Sequence, residues 1–205
     1  MYTPPAFRLD DRDAALAIMR ENAFAVLVAH HDGAVEITHL PLMVAPRGDG
    51  LVIRGHVARA NPIVASIEAG AAATAVFSGP HAYISPDWYA SEDQVPTWNY
   101  VAVHASGRLV PVTGAEATIG TLADLSAEQE APLAPKTPWT HGKMRDGLMA
   151  RMIKGVLAFE LPLERLETKA KMSQNKTPED IDGAVAGLRG RGGAGDLATA
   201  AWMAR

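Results

Sequence analysis

The segment GHVARANP, residues 55–62, places His56 and Arg59 immediately ahead of Asn61. Asn61 stands where a helix N-cap belongs and Pro62 at the first helical position, so backbone N–H groups and a partial positive charge lie beside an arginine fork. Those are the two parts of a phosphate site. Plain capping by Asn61 with a solvated Arg59 is the other reading, and these residues alone leave both open. A second cationic stretch, KAKMSQNK at 169–176, puts Lys169, Lys171 and Ser173 on one face of an extended strand. Read alone it is a solvated face; together with Arg59 it is a second anion contact.

The third chemical feature is aromatic. Residues 81–107, HAYISPDWYASEDQVPTWNYVAVHASG, hold Tyr83, Trp88, Tyr89, Trp98 and Tyr100, although the whole chain has only four each of Phe, Trp and Tyr. From Pro96 onward the even positions Trp98, Tyr100, His104, Ser106 and Arg108 share one strand face, and Val101, Val103, Ala105 and Leu109 share another. The second face is core. The first suits a subunit interface or the wall of a pocket for a planar, hydrogen-bonding ligand.

Other chemistries lack their residues. There is no cysteine, hence no disulfide, thiolate metal site or cysteine nucleophile. Seven histidines show no metal-ligand spacing, and His30 and His31 point to opposite strand faces. Only His39, His56 and His104 lie inside informative segments. Gly190-Arg191-Gly192-Gly193-Ala194-Gly195 matches G-x-G-x-x-G formally, yet no strand precedes it and no acidic ribose partner follows, so it reads as a flexible linker. Phosphate-loop and nucleophile-elbow motifs are absent. A formal charge of -4 removes the general footprint of a nucleic-acid binder and leaves only a local basic patch. Neither a signal-like start nor a run of about 18 uncharged apolar residues is found, so a cytoplasmic protein with no membrane association is expected.

The elements that must position these groups follow from periodicity. A helix is expected over 11–22, capped by Asp10 or Asp11, with Ala15, Ile18 and Met19 on its apolar face. Two strands then flank Asp32-Gly33, the strongest hairpin signal, and PRGDG at 46–50 turns the chain into a third. A short helix over 62–69 ends at Gly70. Strands follow in AATAVFSG and PTWNYVAVHASGRLVPV. Next comes a helix with Ile119, Leu122 and Leu125 at helical spacing, a helix over 143–153 and a last strand region, VLAFELPLERLETKAKM. Hairpins in place of repeating strand–helix units point to an antiparallel sheet or barrel. The boundaries expected are one domain over 1–176 and a helical tail with a Gly-rich linker over 177–205, whose residues 190–205 could be removed with little effect on the fold.

THLPL at 38–42, GHVARANP at 55–62, GPHAYISPDWY through VPTWNYVAVHASG at 79–107 and KMSQNK at 171–176 together resemble the PaiB-like family of FMN-binding negative transcriptional regulators, in order and spacing, from MYTPPAF to about Leu188. The resemblance implies an α+β, mainly β, antiparallel split β-barrel of the FMN-binding type with peripheral helices, forming a homodimer with FMN between subunits. It implies that His39, Leu40 and Pro41 lie along the flavin, that Arg59 and Asn61 meet its phosphate, and that His56, Trp98, Asn99, Tyr100, Lys171, Ser173 and Gln174 complete the cofactor site. Related oxidases carry a lysine in the first turn of the crossover helix; here that place, near Ile63, is apolar.

Two functions follow from different classes. The family name implies lowered transcription of sporulation, protease or similar genes, with DNA contacted directly or indirectly; no convincing helix-turn-helix is present. The alternative is an FMN-dependent oxidoreductase or flavin reductase using NAD(P)H, for which no catalytic side chain is needed because the flavin carries the chemistry. A flavin-free dimerising module is the third reading.

Overall fold

The computed structural model describes residues 1–205. Eight strands and six α-helices alternate as α1 (Arg12–Glu21), β1 (Phe24–His31), β2 (Ala34–Pro41), β3 (Met43–Arg47), β4 (Gly50–Ala58), α2 (Val64–Glu68), β5 (Ala72–Ile84), β6 (Thr97–Arg108), β7 (Val110–Pro111), α3 (Ala115–Glu130), α4 (Leu148–Met152), β8 (Val156–Lys171), α5 (Pro178–Arg191) and α6 (Ala194–Met203). The strand order is β2-β1-β5-β6-β8-β4-β3, with β7 on β8. Pairings β1–β2, β1–β5, β3–β4, β4–β8 and β7–β8 are antiparallel. By contact the chain falls into two compact units: Met1–Glu21, Ser78–Val103 and Glu167–Arg205 form the terminal unit, and Asn22–Phe77 with His104–Leu166 forms the hairpin unit.

In the hairpin unit, Asp32 (φ 49) and Gly33 (φ 76) both take positive φ, the requirement of a two-residue turn whose twist matches its strands. That turn fixes the register His31↔Ala34 through Phe24↔Pro41. Alternation then decides burial: Ala25, Leu27, Ala29 and Leu40 face the core, while Phe24, Val35 and Ile37 stand 71%, 59% and 61% exposed on the other side. The core continues through Ile53, Phe77, Leu109, Phe159 and Leu161. On β6 the sequence alternation holds, with Val101, Val103 and Ala105 buried and Trp98 exposed.

Three helices differ from expectation. The buried stripe of α3 is Thr118, Thr121 and Leu125, because both threonine hydroxyls donate to carbonyls four residues back and enter the core satisfied. Helix α4 covers only Leu148–Met152, followed by a 3-10 turn at Ile153–Gly155. The supposed linker is no linker: Gly190 and Arg191 complete α5, Gly192 (φ 74) ends it, and α6 follows at Ala194.

In the terminal unit, α1 buries Ala15, Ile18 and Met19 as expected, and Asp11 Oδ1 caps it by accepting from Asp13 N at 2.9 Å and Ala14 N at 3.2 Å. The tail is docked. Ala184, Val185, Leu188 and Ala200 pack with Ala82, Ile84 and Tyr89 into one apolar cluster, against which Trp88 lies. Trp88 fits because α5 presents two glycines: a Cβ at Gly183 would stand 2.0 Å from Trp88 O, and one at Gly187 2.2 Å from its Cδ2. Arg191 lies over the same indole at 5.5 Å, fixed by Asp196 through Nε at 2.7 Å, and that bond holds the carboxyl of Asp196 below its ordinary range. Asp180, also buried, accepts from Ser91 N at 2.8 Å and Oγ at 2.9 Å.

Two substitutions on α5 should therefore act in opposite directions in denaturant unfolding. Gly187→Ala forces Trp88 out of its bay and should cost about 1–3 kcal/mol. Gly190→Ala, with nothing within 4 Å, should stabilise by up to about 1 kcal/mol through helix propensity. Equal effects of the two would remove the indole bay as the reason for glycine at 187.

Candidate functional site

In the hairpin unit the groups singled out from the sequence are carried by β2, β4 and the loop after β4. On β2, His39 and Pro41 lie on the exposed face, the His39 ring 6.3 Å from that of Phe24, while Leu40 is buried and offers a ligand only its backbone. On β4, Arg54 donates to Glu160 at 2.9 Å and pairs with Asp124 at 3.3 Å. Two residues on, His56 pairs across the ladder with Ala158. Its Nδ1 is buried without a partner, and burial pushes the imidazole pKa below its ordinary 6.5, so the ring is neutral near pH 7.

Asn61 has both ends engaged. Its Oδ1 accepts from Ile63 N at 3.1 Å in the turn ahead of α2, which starts at Val64 with Ile63 as its N-cap and not at Pro62 as expected, and its Nδ2 donates to Thr38 Oγ1 at 3.1 Å, tying the helix entry to β2. Helix α2 itself has five residues, too short for much of a dipole. Arg59 has a weak pairing: the guanidinium is half exposed and 3.8 Å from Glu68, while its backbone N–H donates to Gly155 O at 2.9 Å.

Two cavities open among these residues. One of about 770 Å³ is lined by Pro41, His56, Trp139, Met144, Met149 and Met152 among others. The other, about 530 Å³, is lined by Arg59, Lys154, Glu68, Gly114 and Thr118. Ile153 and Val156 line both. The second brings Arg59 and Lys154 together at the start of α3, a sixteen-residue helix whose N-cap, Gly114, supplies no side-chain bond. Lys154 was missed from sequence, and the only signal for it was its place just ahead of the last strand.

The remaining site residues expected from sequence belong to the terminal unit. Trp98 is 55% exposed, with Tyr83 edge-on at 6.1 Å and His81 at 6.4 Å. Tyr100 carries Lys169 Nζ at 5.0 Å from its ring centre. Asn99 is fully buried and exchanges hydrogen bonds with Ser173, Nδ2 to Oγ at 2.9 Å and Oγ to Oδ1 at 3.3 Å. Gln174 closes the end of β8, its Oε1 accepting from Met172 N and its Nε2 donating to Ala170 O. Lys171 Nζ donates to Thr97 Oγ1. The single cationic face expected over 169–173 does not form: Lys169 is buried and donates to Tyr2 O at 3.2 Å, and Ser173 lies past the strand with φ 62.

Comparison with known proteins decides the family. Residues 1–165 match the model of the family described as "Putative FMN-binding domain". The chain belongs to this family. A relative in Bacillus subtilis (strain 168), "Protease synthase and sporulation protein PAI 2", is 33% identical over 183 residues, covering 88% of this chain and 85% of its own. Among solved structures, the FAD and heme binding protein of Mycobacterium smegmatis superposes with TM-score 0.58 at 18% identity, over 91% of this chain and 80% of its own. The flavocytochrome Anf3 of Azotobacter vinelandii gives 0.58 at 14% identity, over 80% and 69%. At such identities the likeness shows the fold, the split barrel with peripheral helices. FMN is the family's cofactor and the cofactor of this chain. The residues present fit it: two cations on one cavity suit a phosphate. No helix is long and apolar enough to cross a membrane.

The buried neutral His56 has a consequence for stability. Its folded pKa lies below the unfolded one, so the unfolded chain takes up the proton first and stability is lost as pH falls below about 6.5. His56→Leu should flatten the slope of unfolding free energy below about pH 6.5. An unchanged slope would mean that the imidazole is not held neutral.

Proposed function

We propose that this chain is a homodimeric, FMN-dependent member of the family that acts as a negative regulator of transcription, with the flavin phosphate held by Arg59 and Lys154. The observation that carries this reading is the pairing of those two cations on one cavity at the open start of α3. Arg59 supplies a planar fork and Lys154 a mobile point charge. His39 and Pro41 offer an exposed face of β2, Leu40 adds its backbone, and Asn61 holds the loop that carries Arg59. In the terminal unit, Trp98 and Tyr100 offer exposed or half-exposed ring faces and Lys171 a further cation, whereas Asn99, Ser173 and Gln174 act by holding the loop. When bound, FMN supplies hydride or one-electron transfer.

The hairpin supports a second copy. Strand β2 ends the sheet order, and Phe24, Val35 and Ile37 form an exposed apolar face on it and β1. An uncovered edge of that kind invites pairing. The same chain in a symmetric dimer covers it without a foreign partner. Ile37→Lys should convert a dimer to monomers in light scattering at tens of micromolar, and an unaltered mass would place the interface elsewhere.

Regulation is indirect in this reading. Over α5, α6 and the last two residues, Glu179, Asp180, Asp182 and Asp196 face three arginines, of which Arg191 is taken by Asp196. No row of free cations is available there to meet a phosphate backbone. An oxidoreductase is the second reading, favoured by the apolar cavity beside His56, which leaves room for a molecule besides the flavin. Oxidation of NADPH on adding FMN would decide for it.

For the phosphate site, Arg59→Ala should weaken FMN by roughly ten- to a hundredfold, the loss of a charge-assisted bond, and leave riboflavin almost unaffected. Equal FMN affinity in a folded variant would move the phosphate to Lys171.

A further inference from the structure

The 770 Å³ cavity is built differently from the cationic one. Leu122 and Leu125 of α3 form one wall, and Trp139, Met144, Met149 and Met152 form another, with His56 and Val156 from β4 and β8 between. Trp139 and Met152 are 41% and 57% exposed, although both are large and apolar. Its two carboxylates are already engaged. Asp124 pairs with Arg54 at 3.3 Å. Glu130 accepts from Lys136 Nζ and, at 2.8 Å, from Trp139 N, and the bond from Lys136 holds its carboxyl below the ordinary range. No lysine or arginine lines the cavity.

Those facts select a ligand by chemistry. An anion would meet two carboxylates and no cation, and a cation would find both carboxylates taken. Methionine side chains, flexible and polarisable, adapt to flat rings and favour contact with aromatic edges. Of the two buried polar atoms without a partner, His56 Nδ1 and Tyr89 Oη, only the first belongs to a residue that lines this cavity. The volume is in the range of small-molecule sites, about 300–1,000 Å³.

We propose that this cavity binds a neutral, largely aromatic small molecule bearing one hydrogen-bonding group that meets His56 Nδ1, in a site separate from the flavin phosphate contacts. It does not depend on the regulator reading, since the cavity and its charges stand whether or not the chain governs transcription.

The test uses the full chain, free of flavin and loaded with FMN, and two dyes differing only by a sulfonate: neutral N-phenyl-1-naphthylamine and 8-anilino-1-naphthalenesulfonate. The neutral dye should bind with enhanced, blue-shifted emission at one per chain, and its sulfonated analogue at least about tenfold more weakly. Ala123→Trp, placing an indole on the α3 wall, should weaken the neutral dye at least about tenfold and leave FMN affinity unchanged. Met152→Trp, at a more exposed position, serves if the first variant fails to fold. Equal binding of the two dyes, or undiminished binding in a folded indole variant, overturns the proposal. So does stoichiometric displacement by FMN, which would make the cavity the flavin's own ring pocket. Failure of FMN to bind at all, with the dye still bound, would instead count against the phosphate site alone.

Discussion

The ladder between β4 and β8 is the constraint on which the site depends. Its rungs run from Val52↔Pro162 to Ala58↔Val156, and one more hydrogen bond, from Arg59 N to Gly155 O at 2.9 Å, continues them past the end of the strands. Because strand side chains alternate, this register sends His56 and Ala58 to one side and Val57 to the core. Arg59 follows the last residue of β4 and Lys154 lies in the turn that precedes β8, two cations whose segments are joined by a backbone bond that neither side chain makes. Slip the ladder by one residue and His56 changes face while the two cations lose their alignment.

Polar groups are handled differently in the two units. In the terminal unit the buried hydroxyl of Tyr89 has no hydrogen-bond partner, while Asn99 is matched with Ser173, Asp180 with Ser91 and Asp196 with Arg191. Such satisfied networks rigidify and specify. In the hairpin unit a buried imidazole nitrogen is left without a partner, and an arginine has only a long contact to Glu68. An unmatched buried group costs stability unless something else supplies its partner, and His56, unlike Tyr89, lines a cavity from which a ligand could supply it.

Features set by neighbouring residues were legible in the sequence. The Asp32-Gly33 turn, the apolar face of α1 and the alternation along β6 each depend on a few consecutive side chains. What was not legible depends on distant partners. Lys169 reads as a solvated strand residue until Tyr2 and Tyr100 are placed beside it, and the glycines of α5 read as a linker until Trp88 is seen to occupy their space. Lys154 has only its place ahead of the last strand as a signal, since its meaning comes from Arg59, just past the end of β4. The resemblance of four short segments carried the family and cofactor, which periodicity alone could not.

The central claim is that one phosphate is shared by Arg59 and Lys154. A double-mutant cycle on FMN affinity tests it most directly, with Arg59→Ala, Lys154→Ala and the pair measured alongside riboflavin. Two cations on one phosphate should be coupled: each substitution weakens FMN, the pair loses distinctly less or more than the two separate losses together, and riboflavin is indifferent throughout. Strictly additive losses, or a Lys154→Ala chain that binds FMN as tightly as the wild type, would contradict the account.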